Sequence, residues 1–546
     1  MTPHIVYESP DGTPFPVDWA NDDLAGDQWR WDQVHNPTPL TPLAQDMIAI
    51  KRKGMYRGGD ATGRPFNEER MYANGYGFSR SLEGSPHNAE LARKIAARDR
   101  ELRIDRLTDL WESSYRPETE ALTRSLLKWA APGDSLSDLL DRYDQVEAAW
   151  RRCGELHTIS TGLASAAMRE FDEFCTKTFG DEGARIAVES IAGMPNMSVG
   201  SAVALWELSR QVGTHPAVAD LLSARNAKKF LSELDGAAGG AAFRSELDLF
   251  LERWGQRNES YYEVGFPTWR EDPGFVLDTI RAYLDAPDEQ SPLALHRRAI
   301  TTRNTRTEEV KSRIAEPELI EEFLTGQRRA QQYTVLMEDH NYYIDQRAYT
   351  SLRTPHLALG ERLTAAGALD RADDVFYLHV SEIKKHADHP DRKYQELVAN
   401  RRAERAAWMH VLPPPFIGGD APLRGGAQRA QTPVTTPPET TSLKGLAASA
   451  GTVIGVARVI LSLDESNRLS PGEILVTYAT APPWTPLFAV AAAVVTDAGG
   501  PLAHCAVVAR EYDIPAIVGA ATATSVIKDG MKIKVDGTSG VVTILK

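Results

Sequence analysis

Apolar residues recur at three- and four-residue spacing over 88–111, 135–157, 163–179, 201–212 and 317–352, with Arg, Glu and Asp between them. That period predicts amphipathic helices, and Ser135 stands where an N-cap belongs, ahead of its apolar run. After Pro413-Pro414-Pro415 the texture changes. As far as 442 the chain is rich in Pro, Gly, Thr and Ala, with Gly418-Gly419, Gly425-Gly426 and Pro437-Pro438, and helical periodicity is lost; this predicts a flexible linker. Beyond it, 452–461, 473–479, 490–496, 532–535 and 541–545 are short β-branched runs bounded by glycine turns, the pattern of strands. The expected fold class is multidomain, α and α/β. A large, mainly helical domain occupies 1–412, with an irregular first 80 residues rich in Trp, Pro, Gly and Asn. The linker follows at 413–442, and a compact β/α domain fills 443–546.

Composition narrows the function. A chain of 546 residues holds two to four domains. Its 61 basic and 75 acidic residues give a net charge of −14 with no dense Lys/Arg block, which argues against nucleic acid or an anionic membrane as the main partner. Cys153, Cys175 and Cys505 have no metal-ligand spacing, so neither a disulfide framework nor a metal site is expected. The longest apolar run, 487–495, is far short of the roughly 20 residues of a membrane span. The first residues lack a basic stretch followed by an apolar one, and a cytoplasmic location is expected.

The chemistry concentrates in Thr496-Asp497-Ala498-Gly499-Gly500-Pro501-Leu502-Ala503-His504-Cys505-Ala506-Val507-Val508-Ala509-Arg510-Glu511, followed by Ile514-Pro515-Ala516. An apolar strand leads into paired glycines, and a histidine follows in what reads as the first turn of a helix. Free backbone N–H groups and the helix dipole favour an anion there, and glycines let the backbone approach a phosphate. His504 therefore reads as a phosphate-accepting nucleophile, with Gly499 and Gly500 and, in an assisting role, Arg510 as phosphate contacts. Cys505 reads as a packing residue.

The whole segment resembles the phosphohistidine swivelling domain of the phosphoenolpyruvate-utilising enzymes, a group that includes the dikinases, rifamycin phosphotransferases and aryl-phosphate synthases. The resemblance implies transient phosphorylation of His504. Dikinases carry Thr-Ser ahead of this histidine where Leu502-Ala503 stand here, so regulation by phosphorylating a neighbouring hydroxyl is not expected. No nucleotide-binding module is legible, and Gly58-Gly59 and Gly239-Gly240 lack the strand-turn-helix context of a phosphate loop. The resemblance to the split aryl-phosphate synthases implies a separate ATP-grasp subunit that binds ATP and Mg²⁺.

Two upstream segments extend the resemblance. Trp29-x-Trp31-Asp32-x-x-His35-Asn36-Pro37 looks like the entry to the acceptor-substrate domain of these proteins. Glu338-Asp339-His340-Asn341-Tyr342-Tyr343-Ile344-Asp345-x-Arg347, with Leu357-x-Leu359-Gly360-x-x-Leu363 and Asp373-Asp374-Val375-Phe376-Tyr377-Leu378, is similar to the segment ahead of their swivelling domain. On an α-helix Glu338, Asn341, Tyr342 and Asp345 share one face, with His340 and Tyr343 to the side. Rifamycin phosphotransferases have basic residues where Met337 and Asn341 stand, which implies a different acceptor.

The reading that follows is a relay. His504 takes phosphate from the ATP-binding partner, the domain swings on the 413–442 stalk, and a hydroxyl bound by the helical domain receives it. A phenol, with its pKa near 10, needs a base; the candidates are His35, Glu338, Asp339 and His340, with Trp31, Asn341 and Tyr342 as substrate contacts. The closest resemblance is to the histidine-bearing subunit of phenylphosphate or 4-methylphenyl (cresyl) phosphate synthase. The alternatives are a split antibiotic phosphotransferase and a phosphocarrier that passes phosphate to another protein. A helical domain rich in Trp and Tyr favours a small aromatic hydroxyl substrate over a carrier role.

Overall fold

The computed structural model describes residues 5–6, 15–62, 66–82, 106–409, 411–419, 441–500 and 503–545. Contacts gather the chain into two compact units. The first comprises Met1–Leu163, Ser260–Phe266 and Tyr343–Val434, and the second Ala164–Glu259, Pro267–Tyr342 and Thr435–Lys546. No helix among the described residues is long and apolar enough to cross a membrane.

In the first unit, a four-stranded antiparallel sheet has the order Glu68–Ala73, Tyr76–Ser81, Trp29–Trp31, Phe416–Ile417. The hairpin turns at Asn74 and Gly75, both at positive φ (51° and 82°), the conformation a two-residue turn between twisted strands requires. Phe416–Ile417 thus gives the start of the 413–442 segment a place in a sheet, while 420–440 lie outside the described residues. So do 88–105 of the helix expected at 88–111, and Pro501 and Leu502 of the histidine motif.

The first 80 residues are more regular than their composition suggests. Pro42–Thr62 is a 21-residue helix. Its glycines are contact points: a Cβ on Gly54 would run into the Arg151 carbonyl, and one on Gly58 would meet that of Glu155. Small residues let two helix backbones approach where side chains would hold them apart. The start of this helix is fixed by the fully buried Glu263, which accepts from the Thr41 backbone N–H (2.7 Å) and hydroxyl (2.8 Å).

Elsewhere the helical periods hold, with altered joints. Ser135 caps Leu136–Asp141 in a reciprocal capping box with Asp138, as its position predicts. The two helices expected at 135–157 and 163–179 are one long element, Asp144–Phe179. Within the join the Thr161 hydroxyl donates to the His157 carbonyl four residues back (2.9 Å), a bond that the continuous helix accommodates. The 317–352 stretch begins as the α-helix Pro317–His340, then widens to π geometry over Asn341–Ala348.

The C-terminal part of the second unit holds an eight-stranded sheet in the order Ser442–Lys444, Val541–Ile544, Lys532–Asp536, Thr452–Val459, Ile474–Thr477, Ala493–Thr496, Ala516–Val518, Leu446–Ser449. All five predicted strands are there. The central four run parallel and the outer pairings are antiparallel. Ile474, Val476, Ala493, Val495, Ile517, Ile533 and Val535 form one core layer. Leu475 and Val494, on the opposite faces of their strands, are equally buried, which explains why these strands read as continuous apolar runs. The helix His504–Glu511 connects two adjacent parallel strands, Ala493–Thr496 and Ala516–Val518.

Asp497 closes the turn after the first of these strands. Its carboxylate accepts from the Thr524 backbone N–H (3.1 Å) and hydroxyl, yet burial pushes its pKa up to about 6. The folded state therefore holds this proton more tightly than the unfolded chain does. Stability from this group is complete below the ordinary carboxylate pKa and is lost as pH rises through 6. Asp497→Asn, which keeps the hydrogen-bonding shape, is expected to stabilise the protein by up to about 3 kcal/mol at pH 7.5, with the difference vanishing below pH 4. Urea unfolding at the two pH values measures it.

Candidate functional site

The histidine motif folds as its residues suggest. The chain leaves strand Ala493–Thr496, and Gly499 takes a φ of 123°, where a Cβ-bearing residue would be strained. Ala503 is the N-cap and His504 the first residue of the helix. One expectation changes: all eight residues of this helix are buried, His504 to 6% exposure.

Both ring nitrogens of His504 have partners. Nδ1 lies 3.1 Å from Glu338 Oε2 and Nε2 lies 3.2 Å from Thr485 Oγ1. The Thr485 hydroxyl already donates to the Pro482 carbonyl (2.8 Å), so its oxygen is the acceptor toward Nε2. Glu338, itself buried, also accepts from the Ser198 hydroxyl (3.0 Å). Burial pushes the Glu338 carboxyl up, but the charge and hydrogen bond of His504 and the bond from Ser198 outweigh it and hold the pKa below its ordinary value. The site is thus a dry carboxylate-imidazole pair on a helix N-terminus. For Nε2 to attack phosphorus, His504 has to leave Thr485 while Nδ1 keeps a carboxylate to orient the ring.

The neighbouring candidates have structural partners. Asp339 Oδ1 accepts from the backbone N–H of Met197 (2.9 Å), at the start of helix Met197–Gly213. Tyr342 donates to the Arg253 carbonyl (2.8 Å) and stacks under Arg257. Asn341 caps the end of the α-helix and begins the π segment. His340 is buried. Arg510 lies six residues beyond His504, on another face of the helix, and its Nε donates to the Ala448 carbonyl (2.9 Å); burial draws its pKa down to about 10. Cys505 is buried and its thiol is pushed up to about 12 by that burial, as suits a packing residue. The face expected to unite Glu338 with Asp345 is not used as one: Glu338 pairs with His504 in the second unit, whereas Asp345 pairs with Lys51 (2.5 Å) in the first. The π segment between them changes the angular step per residue, so α-helical phase does not carry across it.

The second cluster lies in the first unit. Asp32 follows strand Trp29–Trp31 and gathers His35 Nδ1 (2.9 Å), Asn36 Nδ2 (3.2 Å) and Arg70 Nη2 (2.8 Å). Trp31 is structural: it is buried, donates to the Asn36 carbonyl (3.0 Å) and packs edge-on against Tyr76. His35 opens onto a cavity of about 350 Å³ lined also by Lys51, Arg52, Phe66, Arg70 and Tyr262. Burial pushes the Asp32 carboxyl up, but His35 and Arg70 outweigh it and hold it far below the usual carboxylate range. Burial likewise draws His35 down, and the charge and hydrogen bond of Asp32 raise it above its ordinary value. His35 is therefore better suited to holding a proton than to removing one. Lys51, fully buried between Asp345 and the Tyr262 hydroxyl (3.1 Å), is raised by the same kind of partner.

Sequence reasoning placed Glu338 and His504 in separate segments and missed Thr485, Ser198, Lys51, Arg70 and Tyr262. Their partners lie 19 to 294 residues away, and only Asp32 carried a local signal, three residues before His35.

Residues 469–540 match the PEP-utilising enzyme mobile domain, and residues 155–337 match the rifampicin phosphotransferase fourth domain. These two segments are thus similar to a domain of rifampicin phosphotransferase and to the PEP-utilising mobile domain. It is 33% identical to chondramide synthase cmdD of Chondromyces crocatus over 97% of its own length and 14% of that protein. It is also 33% identical to a rifampicin phosphotransferase of Streptomyces sviceus over 64% of this chain and 40% of that one. With the prodigiosin synthesizing transferase PigC of Serratia marcescens it shares 31% identity over 65% of this chain and 39% of that one. The chain therefore spans less than half the length of each of these relatives.

The His35–Asp32 pair makes a direct prediction. The imidazolium form contributes stability below the ordinary histidine pKa of 6.5, and that contribution fades as pH rises through the higher folded value. In ¹H–¹⁵N spectra the His35 ring is expected to titrate above 6.5, and Asp32→Asn to lower the midpoint. An unchanged midpoint in the variant would mean that the pair does not form in solution.

Proposed function

We propose that this chain is the acceptor-binding and phosphohistidine part of a phosphotransferase, with His504 as the relay. The observation that carries the reading is His504 itself: a histidine at the first position of a helix, behind a glycine turn, its Nδ1 held by a buried carboxylate, within a segment matched to the PEP-utilising mobile domain. Nδ1 oriented by Glu338 leaves Nε2 as the atom that takes the phosphoryl group, and the helix N-terminus supplies part of the charge neutralisation that phosphoryl transfer needs. ATP and Mg²⁺ are assigned to a separate nucleotide-binding subunit of the ATP-grasp class. The phosphoryl group passes from His504 to the hydroxyl of a small aromatic acceptor such as phenol or 4-cresol, held in the cavity beside His35. The 413–442 segment serves as the stalk.

A second acceptor class has its own support. The relatives include rifampicin phosphotransferases, so a rifamycin-type hydroxyl belongs in the same assay as the phenols. Incubation with ATP, the nucleotide-binding partner and both classes, with aryl phosphate, antibiotic phosphate and AMP as readouts, separates them.

His504→Ala is expected to abolish acid-labile protein phosphate, measured with radiolabelled ATP and the partner. Retained label would place the phosphoryl acceptor elsewhere. Removing one member of a buried ion pair costs about 3–5 kcal/mol, so the informative variant at the other side is Glu338→Gln, which keeps an acceptor for Ser198. Its His504 phosphorylation rate is expected to fall by about 10²-fold or more, with the folded fraction unchanged by circular dichroism.

A further inference from the structure

The cavity in the first unit has a composition that specifies more than an aromatic hydroxyl. Its lining carries four permanently cationic side chains, Arg30, Lys51, Arg52 and Arg70, against two carboxylates, Asp32 and Glu68. The carboxylates are already engaged, Asp32 by Arg70 and His35 and Glu68 by Arg52, and Lys51 is itself neutralised by Asp345. Two donors remain over. Arg70, whose side chain is only 6% exposed, binds Asp32 through Nη2 and has its buried Nε without a hydrogen-bond partner. His35 uses Nδ1 for Asp32, leaving Nε2 on a ring that is 47% exposed at the cavity. That Nε is closed to solvent, so a ligand anion meets the guanidinium through its charge, and His35 Nε2 is the donor open to it. Phe66, Tyr262 and Ile48 supply flat and apolar wall. The volume of about 350 Å³ is at the small end of ligand pockets, about 300–1,000 Å³, and fits one ring with its substituents.

We propose that this cavity binds a small aromatic acid, its carboxylate received by His35 Nε2–H and Arg70 and its ring lying against Phe66 and Tyr262. Resting on the reading of this cavity as the acceptor site, the substrate class becomes hydroxyaryl carboxylates in place of simple phenols. The Asp32 carboxylate favours the protonated form of His35, the form in which Nε2 carries a hydrogen to donate.

The test is calorimetric titration of the full chain, without ATP or partner, with 4-hydroxybenzoate, benzoate and phenol. Both acids are expected to bind at least about tenfold more tightly than phenol, the effect of one charge-assisted hydrogen bond. His35→Gln and Arg70→Met are each expected to cost the acids about tenfold or more and to leave phenol unchanged. Arg70 is buried, so its variant is interpreted only with a wild-type unfolding curve; His35→Gln, at a half-exposed ring, serves if Arg70→Met unfolds. Equal affinity for phenol and 4-hydroxybenzoate, or acid binding untouched by His35→Gln, overturns the proposal. The measurement is independent of phosphoryl transfer: acid binding without later phosphorylation counts against the relay, and phosphorylation of phenol without acid binding counts against this cavity assignment.

Discussion

A carboxylate removed from water has to be satisfied on every side, and Glu338 is the point at which the second unit meets that demand. It takes the Ser198 hydroxyl and His504 Nδ1. Around it, other side-chain oxygens fasten the same short turn: Asp339 accepts from the Met197 N–H, Glu511 from the Met194 N–H (2.7 Å), and Asn196 from the Val199 N–H. The first turn of one helix is thereby held by the end of another and by the far end of the histidine helix. The bonds to Met197 and Val199 satisfy backbone donors that a helix start leaves open. The histidine helix is consequently held at both ends, His504 by Glu338 and Glu511 by Met194.

The two carboxylate-histidine pairs of this protein do different work because their surroundings differ. His504 and Glu338 are dry, and the second nitrogen of the ring is covered by Thr485. Such a pair orients a nucleophile and keeps water from it. His35 and Asp32 share an edge with a cavity, and Arg70 adds a second cation on the same carboxylate. There the pair holds charge toward whatever enters. The pairing is the same in both places, and the difference between them lies in exposure and in the second partner.

Much of the C-terminal domain was legible because its signals are local. Parallel strands buried on both faces are written as continuous β-branched runs, and the glycine turn ahead of His504 is written in adjacent residues. The helix Pro42–Thr62 was not legible, since Gly54 and Gly58 are breakers by local rule and contact points only when Arg151 and Glu155 lie opposite. The π geometry of Asn341–Ala348 was equally silent. It shifts phase within a run whose composition is ordinary for an α-helix, so the shared face drawn through Glu338 and Asp345 dissolved into two separate partnerships.

By itself the sequence determined five of the eight strands of the C-terminal sheet, the position of His504 at a helix start, and the acidic and aromatic residues available to it. These depend on periodicity, capping and glycine conformation, which act over a few residues. Tertiary structure alone decided that Glu338 meets His504 across 166 residues, that Asp339 and Tyr342 hold helices and backbone, and that His35 shares a cavity with Lys51, Arg70 and Tyr262. Such pairings are set by which buried charges find partners when the chain closes on itself, and burial is a property of the whole fold that no local stretch encodes.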